Sequence, residues 1–100
     1  MGWASAYIRK LRVGETVSFR PRGHSMKGRI ESGQLCTVTP VDLSTLKVGD
    51  IVLCKVAGSE YLHIVKAIDR GRFQIGNNRG RINGWVGRHC IFGKCVRIQD

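Results

Sequence analysis

Ile51-Val52-Leu53-Cys54-Lys55-Val56 and Tyr61-Leu62-His63-Ile64-Val65-Lys66-Ala67-Ile68 are two apolar runs, separated by Ala57-Gly58-Ser59-Glu60. Their reading decides the fold. Each run is rich in β-branched and aliphatic residues, and Gly58-Ser59 sits where a tight hairpin turns. The pattern predicts an antiparallel hairpin over residues 50–57 and 60–68. Going outward from it, Val48-Gly49-Asp50 is a turn before the first run and Asp69-Arg70-Gly71 a turn after the second. Phe73–Ile75 is a short strand, and Gly76-Asn77-Asn78-Arg79-Gly80 is a loop. Trp85–Val86 and Ile91–Ile98 supply the last strands.

On the N-terminal side, Leu35–Thr39 reads as a strand closed by Pro40, and Val17 and Phe19 alternate with polar residues in another. Asp42-Leu43-Ser44-Thr45-Leu46 has the form of one helical turn capped by Asp42. Residues 3–12 suit a short helix, with Trp3, Tyr7, Ile8 and Leu11 on one face and Gly14 as its stop. Helical signal is confined to one end and one turn. The expectation is a single, mainly β domain over residues 1–100, with a helical extension at 1–14 and a core at 15–98.

The chain has 100 residues, 42% of them hydrophobic, with 13 Gly and only 2 Pro, which argues against disorder. A chain this long buries roughly 60–65% of its unfolded surface, enough for one core. No apolar run approaches the roughly 18–20 residues that a membrane-spanning helix needs. The stretch MGWASAYIRKLR lacks the apolar core of a secretory signal. A soluble, cytoplasmic protein without a membrane anchor is therefore expected.

Four cysteines, Cys36, Cys54, Cys90 and Cys95, lie in apolar runs without a Cys-x-x-Cys pair, and are expected to be free thiols. His89, Cys90 and Cys95 have only loose metal-ligand spacing, so no metal or other cofactor is expected. The net charge is +10, distributed as +6 over residues 1–30, −1 over 31–68 and +5 over 69–100. The basic ends, with Arg70, Arg72, Arg79, Arg81 and Arg88 near Trp85, can meet nucleic-acid phosphates or form a solvated surface. Stacking aromatics are few, and nothing points to sequence-specific DNA reading.

Three segments carry chemistry in a fixed order: Pro21-Arg22-Gly23-His24-Ser25-Met26; Val48-Gly49-Asp50-Ile51-Val52-Leu53 with its return strand Tyr61-Leu62-His63-Ile64-Val65-Lys66; and Ile75-Gly76-Asn77-Asn78 followed by Ile91-Phe92-Gly93-Lys94. This order resembles the clan of signal peptidases and self-cleaving SOS-type (LexA-like) repressor domains. The resemblance covers about residues 15–98. It implies a barrel-like β fold and a serine peptidase. Within it, Ser25 matches the nucleophile and His63 the general base, as in the Ser–His branch of the clan. The backbone N–H groups of Ser25 and Met26 match the oxyanion hole. Gly23, His24 and Tyr61 fall where substrate would be held, with His24 at the rim.

The chemistry suits the residue types. A serine hydroxyl needs a neighbouring base to attack a carbonyl, and neutral imidazole serves near pH 7. Two departures from the clan stand out: Ile64 follows His63 where Arg is frequent, and Gly76-Asn77-Asn78 has an amide in place of the acidic residue. No carboxylate is evident to orient His63. Lys66, three residues further on, falls on the opposite strand face and becomes the base only if the register slips.

The bland readings are a loop serine capping its own turn, a structural histidine, and Asn77 and Asn78 as turn formers that tolerate left-handed backbone. The expected function is a soluble serine peptidase-like domain that takes a peptide or protein substrate. The alternative is a catalytically silent peptide- or nucleic-acid-binding module on the same fold, associated with a phage or a regulator.

Overall fold

The computed structural model describes residues 2–100. One short helix, α1 (Ser5–Arg12), precedes seven strands: β1 (Val17–Phe19), β2 (Leu35–Thr39), β3 (Ile51–Val56), β4 (Ser59–Asp69), β5 (Arg72–Gly76), β6 (Ile82–Val86) and β7 (Ile91–Gln99). Single 3-10 turns lie at Leu43–Thr45 and Arg88–Cys90, and the Asp42 carboxylate caps the first by accepting from the Ser44 N–H. All pairings are antiparallel, in the order β1-β2-β7-β3-β4-β5-β6. The mainly β expectation holds. No helix among the described residues is long and apolar enough to cross a membrane.

The central hairpin forms with Ile51 opposite Ile64 and Val56 opposite Ser59. Its turn is Ala57-Gly58, one residue earlier than the sequence suggests, and Ser59 opens β4. Both turn residues have positive φ, +49° and +84°, the combination that matches the twist of the flanking strands. Arg70 and Gly71 repeat the device between β4 and β5, with φ of +49° and +74°.

The near-continuous apolar character of β3 has a structural cause: both of its faces are covered. Ile51 and Leu53 enter a cluster with Ile8 and Leu11 of α1, Val17, Phe19 and Val38. Val52, Cys54 and Val56 enter a second cluster with Val65, Phe73, Ile75 and Val86. The sheet curls around this second cluster. Four register shifts, one of them at Lys66 between Val65 and Ala67, sharpen the curl. It carries β6 back over β3, so that a Cβ on Gly84 would lie 3.4 Å from the Val56 side chain. The edges are β1 and β6.

Helix α1 covers the first cluster. Its basic last turn, Arg9, Lys10 and Arg12, suits the negative end of the helix dipole. Its first turn has no acidic residue of its own, and Glu60 of β4 fills that role. The Glu60 carboxylate, buried at 7% exposure, accepts from the Ala4 N–H at 2.7 Å and the Ser5 hydroxyl at 2.8 Å. Trp3 lies ahead of the helix and is 53% exposed, contrary to its expected place on the buried face. It packs edge-on to Phe19 and donates from Nε1 to the Glu60 carbonyl at 3.0 Å.

Candidate active site

Ser25 lies in the long connection between β1 and β2, and the sequence explains why it is held there. A run of turns is closed by Lys27 N–H to His24 O and by Arg29 and Ile30 N–H to Met26 O. Met26 and Ile30, four residues apart, are both buried in the first cluster and pin the loop to it. Ser25, immediately before Met26, stays exposed. Asn78, in the β5–β6 loop, clamps this segment from the other side. Its backbone N–H donates to Ser25 O at 2.9 Å and its Nδ2 to Lys27 O at 2.8 Å. Gly28, with φ +96°, leaves room for the clamp, since a Cβ there would lie 2.9 Å from Asn78 Nδ2.

His63 stands on β4 opposite Val52, on the face that Tyr61 and Val65 share. It is 6% exposed, and its ring stacks on Tyr61 with centroids 4.7 Å apart. Its Nε2 lies 3.3 Å from Ser25 Oγ, and its Nδ1 lies 2.7 Å from Asn83 Oδ1. The amide oxygen accepts, so Nδ1 carries the proton and Nε2 is left bare toward the serine hydroxyl. Burial lowers the His63 pKa below its ordinary 6.5, partly offset by the Asn83 hydrogen bond, while the cations Arg81 and Lys66 lower it further. The imidazole is thus neutral at neutral pH, the form that can take a proton from a hydroxyl.

The structure brings together Ser25 and His63, the two residues singled out in the sequence. Asn83 does not figure in the sequence expectation, which looked for a carboxylate. Its only local signal is an amide inside a short strand, followed by Gly84. Asn77 and Asn78 are not left-handed: among non-glycine described residues only Ala57 and Arg70 have positive φ. Asn77 works through its side chain, with Oδ1 accepting from the N–H groups of Arg79 and Arg81. Lys66 sits at the register shift, half-buried, and acts on His63 through its charge.

A cavity of about 450 Å3 opens beside the pair and reaches both Ser25 and His63. Gly23 and Tyr61 line it, but His24, placed near substrate on sequence grounds, is exposed and lies outside the lining. The reason is local: successive side chains in the loop diverge, and Ser25 and Met26 turn inward where His24 turns out. The backbone N–H groups of Ser25 and Met26 donate to no other group among the described residues.

The edge of β4 is open along this cavity. Val65 turns its N–H and C=O toward β3, donating to Asp50 O and accepting from the Gly49 N–H. Antiparallel alternation therefore turns those of Leu62 and Ile64 the other way. Ile64 faces Gly76, where the β5 pairing ends, so Leu62 has no strand beside it on that side.

All four cysteines are free. Among the described residues no group of three His, Cys, Asp or Glu side chains could hold a metal ion. In comparisons with known proteins, no protein-family model matches this chain and no curated protein does.

Proposed function

We propose that this chain is a serine hydrolase of the signal-peptidase and SOS-repressor type that cleaves a peptide bond with Ser25 and His63. The observation that carries the reading is the 3.3 Å contact between Ser25 Oγ and His63 Nε2, with Nδ1 of the same ring held by Asn83. Apo catalytic pairs are often slightly longer than a tight hydrogen bond. An exposed hydroxyl on a pinned loop, a buried neutral imidazole on a strand and a third group fixing the tautomer together form a nucleophile, a base and an orienter.

In the proposed reaction an extended peptide lies along the open β4 edge and hydrogen-bonds the Leu62 N–H and C=O. Ser25 Oγ attacks the carbonyl carbon while His63 Nε2 takes the hydroxyl proton. The oxyanion gathers the N–H groups of Ser25 and Met26, where a single donor is worth roughly 3–4 kcal/mol. Collapse breaks the C–N bond, and His63 returns the proton to the leaving amine. Water, deprotonated by the same nitrogen, then hydrolyses the acyl ester and restores Ser25.

The test is a fluorophosphonate probe on the wild type and on Ser25→Ala. The expected result is one adduct on Ser25, absent from the variant. Labelling that persists in Ser25→Ala sinks the assignment.

A second reading, retention of nucleic acid on the β5–β6 surface, rests on Trp85, which is 42% exposed and has Arg72 donating to its carbonyl at 3.3 Å. A binding constant that falls steeply with salt would support it.

A further inference from the structure

We infer that the cavity beside Ser25 seats a bulky apolar side chain, of Leu or Phe size, from a peptide that carries an acidic residue next to it. This rests on the Ser25–His63 reading and names the substrate that reading leaves open. The cavity walls are aromatic. Tyr7 of α1 stacks on Phe19 of β1 with centroids 4.6 Å apart, and Trp3 meets Phe19 edge-on at 5.5 Å. Met26, Ile30 and Leu62 add aliphatic surface. About 450 Å3 lies within the roughly 300–1,000 Å3 typical of small-ligand pockets, ample for one large side chain. A methyl group would leave most of this apolar surface against water, whereas an aromatic or branched side chain covers far more of it, which favours binding.

Charge around the cavity selects the neighbouring residue. Both carboxylates of the lining are already engaged. Glu60 holds the start of α1, and Glu31 Oε2 accepts from the Gly28 N–H at 2.9 Å. The two guanidiniums are not matched by any carboxylate. Arg20 donates to the Gly33 carbonyl, and Arg22, exposed at the mouth, has no hydrogen-bond or ion-pair partner among the described residues. The two carboxylates and two guanidiniums of the lining balance in charge, and the acidic preference rests on Arg22, the cation at the mouth left free to pair with a carboxylate. Helix α1 becomes a specificity element: Glu60 fixes its start, and with it the Trp3 and Tyr7 wall.

Two measurements separate this inference from the reading beneath it. The first titrates the full-length Ser25→Ala protein with N-acetyl-Glu-Phe-amide, N-acetyl-Glu-Ala-amide and N-acetyl-Lys-Phe-amide, followed by NMR. The Glu-Phe peptide should bind about tenfold or more tightly than the Glu-Ala peptide, and shift the Trp3 indole and Met26 methyl signals. It should also bind more tightly than the Lys-Phe peptide, by a margin that shrinks with salt. Equal affinity for Phe and Ala, no binding, or shifts that spare Trp3 and Met26 overturn the cavity assignment. Equal affinity for Glu and Lys overturns its acidic part. The second measurement treats the wild type with the p-nitrophenyl esters of N-acetyl-Phe and N-acetyl-Ala. Acylation of Ser25 by neither ester sinks the Ser–His reading while the peptide titration still decides the cavity. Acylation by both at equal rates keeps that reading and overturns the preference.

Discussion

Asn83 Oδ1 lies 2.7 Å from His63 Nδ1, so an amide stands where a Ser–His hydrolase commonly has a carboxylate. The amide oxygen fixes the tautomer but brings no negative charge to stabilise the imidazolium. Asn83 comes from β6 and His63 from β4, two strands apart in the sheet, and the curl of the sheet brings them together. As a positioning residue, Asn83 should reveal itself by more than lost activity. Asn83→Leu is expected to slow Ser25 acylation by about one to four orders of magnitude, the upper figure being the effect of losing the orienting group in a Ser–His–Asp triad. Asn83→Asp should restore acylation and raise the His63 pKa, moving the acid limb of the pH profile upward. An unshifted limb in Asn83→Asp would falsify the contact.

Ser25→Ala and His63→Ala should both abolish fluorophosphonate labelling, but their stabilities should differ. Ser25 is exposed, and its loss should change stability by no more than about 0.5 kcal/mol. His63 is buried and paired with Asn83, so its removal leaves a cavity and an unpaired amide, costing about 1–3 kcal/mol. Thermal denaturation of the two variants checks this.

The acid limb of activity should lie below pH 6.5, because burial depresses the His63 pKa from that value. The same shift has a sign for stability. In the unfolded chain the histidine binds its proton more tightly than in the folded one. Stability due to this group is therefore full above pH 6.5, falls as the pH drops below it, and levels off once the folded imidazole protonates. Urea midpoints of the wild type and His63→Gln should diverge over that window, the wild type losing more on acidification.

Asn78→Ala should loosen the Ser25 loop without disturbing His63. It removes the bond to Lys27 O, worth about 0.5–1.5 kcal/mol, and keeps the backbone bond to Ser25 O. Amide exchange over residues 24–28 should quicken and labelling should slow, while the His63 titration stays in place.

The four thiols should split into two reactivity classes. Burial pushes the Cys36 and Cys54 pKa values up to about 12, so both should resist alkylation in the native protein. Half-buried Cys90 and Cys95 should react before them, Cys95 the more slowly because burial raises its pKa too, and denaturant without reductant should expose all four. A mass corresponding to an intramolecular disulfide would contradict this.

Alternation and turn chemistry are properties of neighbouring residues, which is why the strands could be read from the chain alone. The apolar runs around Ala57-Gly58 made the central hairpin legible. Strict alternation marked β1, and the carboxylate of Asp42 marked its own helical turn. Motif order singled out Ser25 and His63, and their separation of 38 residues says nothing by itself about the 3.3 Å contact. What the sequence could not supply depends on long-range closure. Asn83 meets His63 only because register shifts curl the sheet and carry β6 back over β3. Glu60 looks like a surface residue at a hairpin turn until α1 docks over it and gives its carboxylate two donors. Trp3 reads as a helix-face residue, yet its indole is drawn out to the Glu60 carbonyl and Phe19. Local pattern sets which way each side chain leaves its own strand or helix. Which distant polar groups it then meets is decided by packing, because a buried amide or carboxylate must find its partner wherever the tertiary fold brings one.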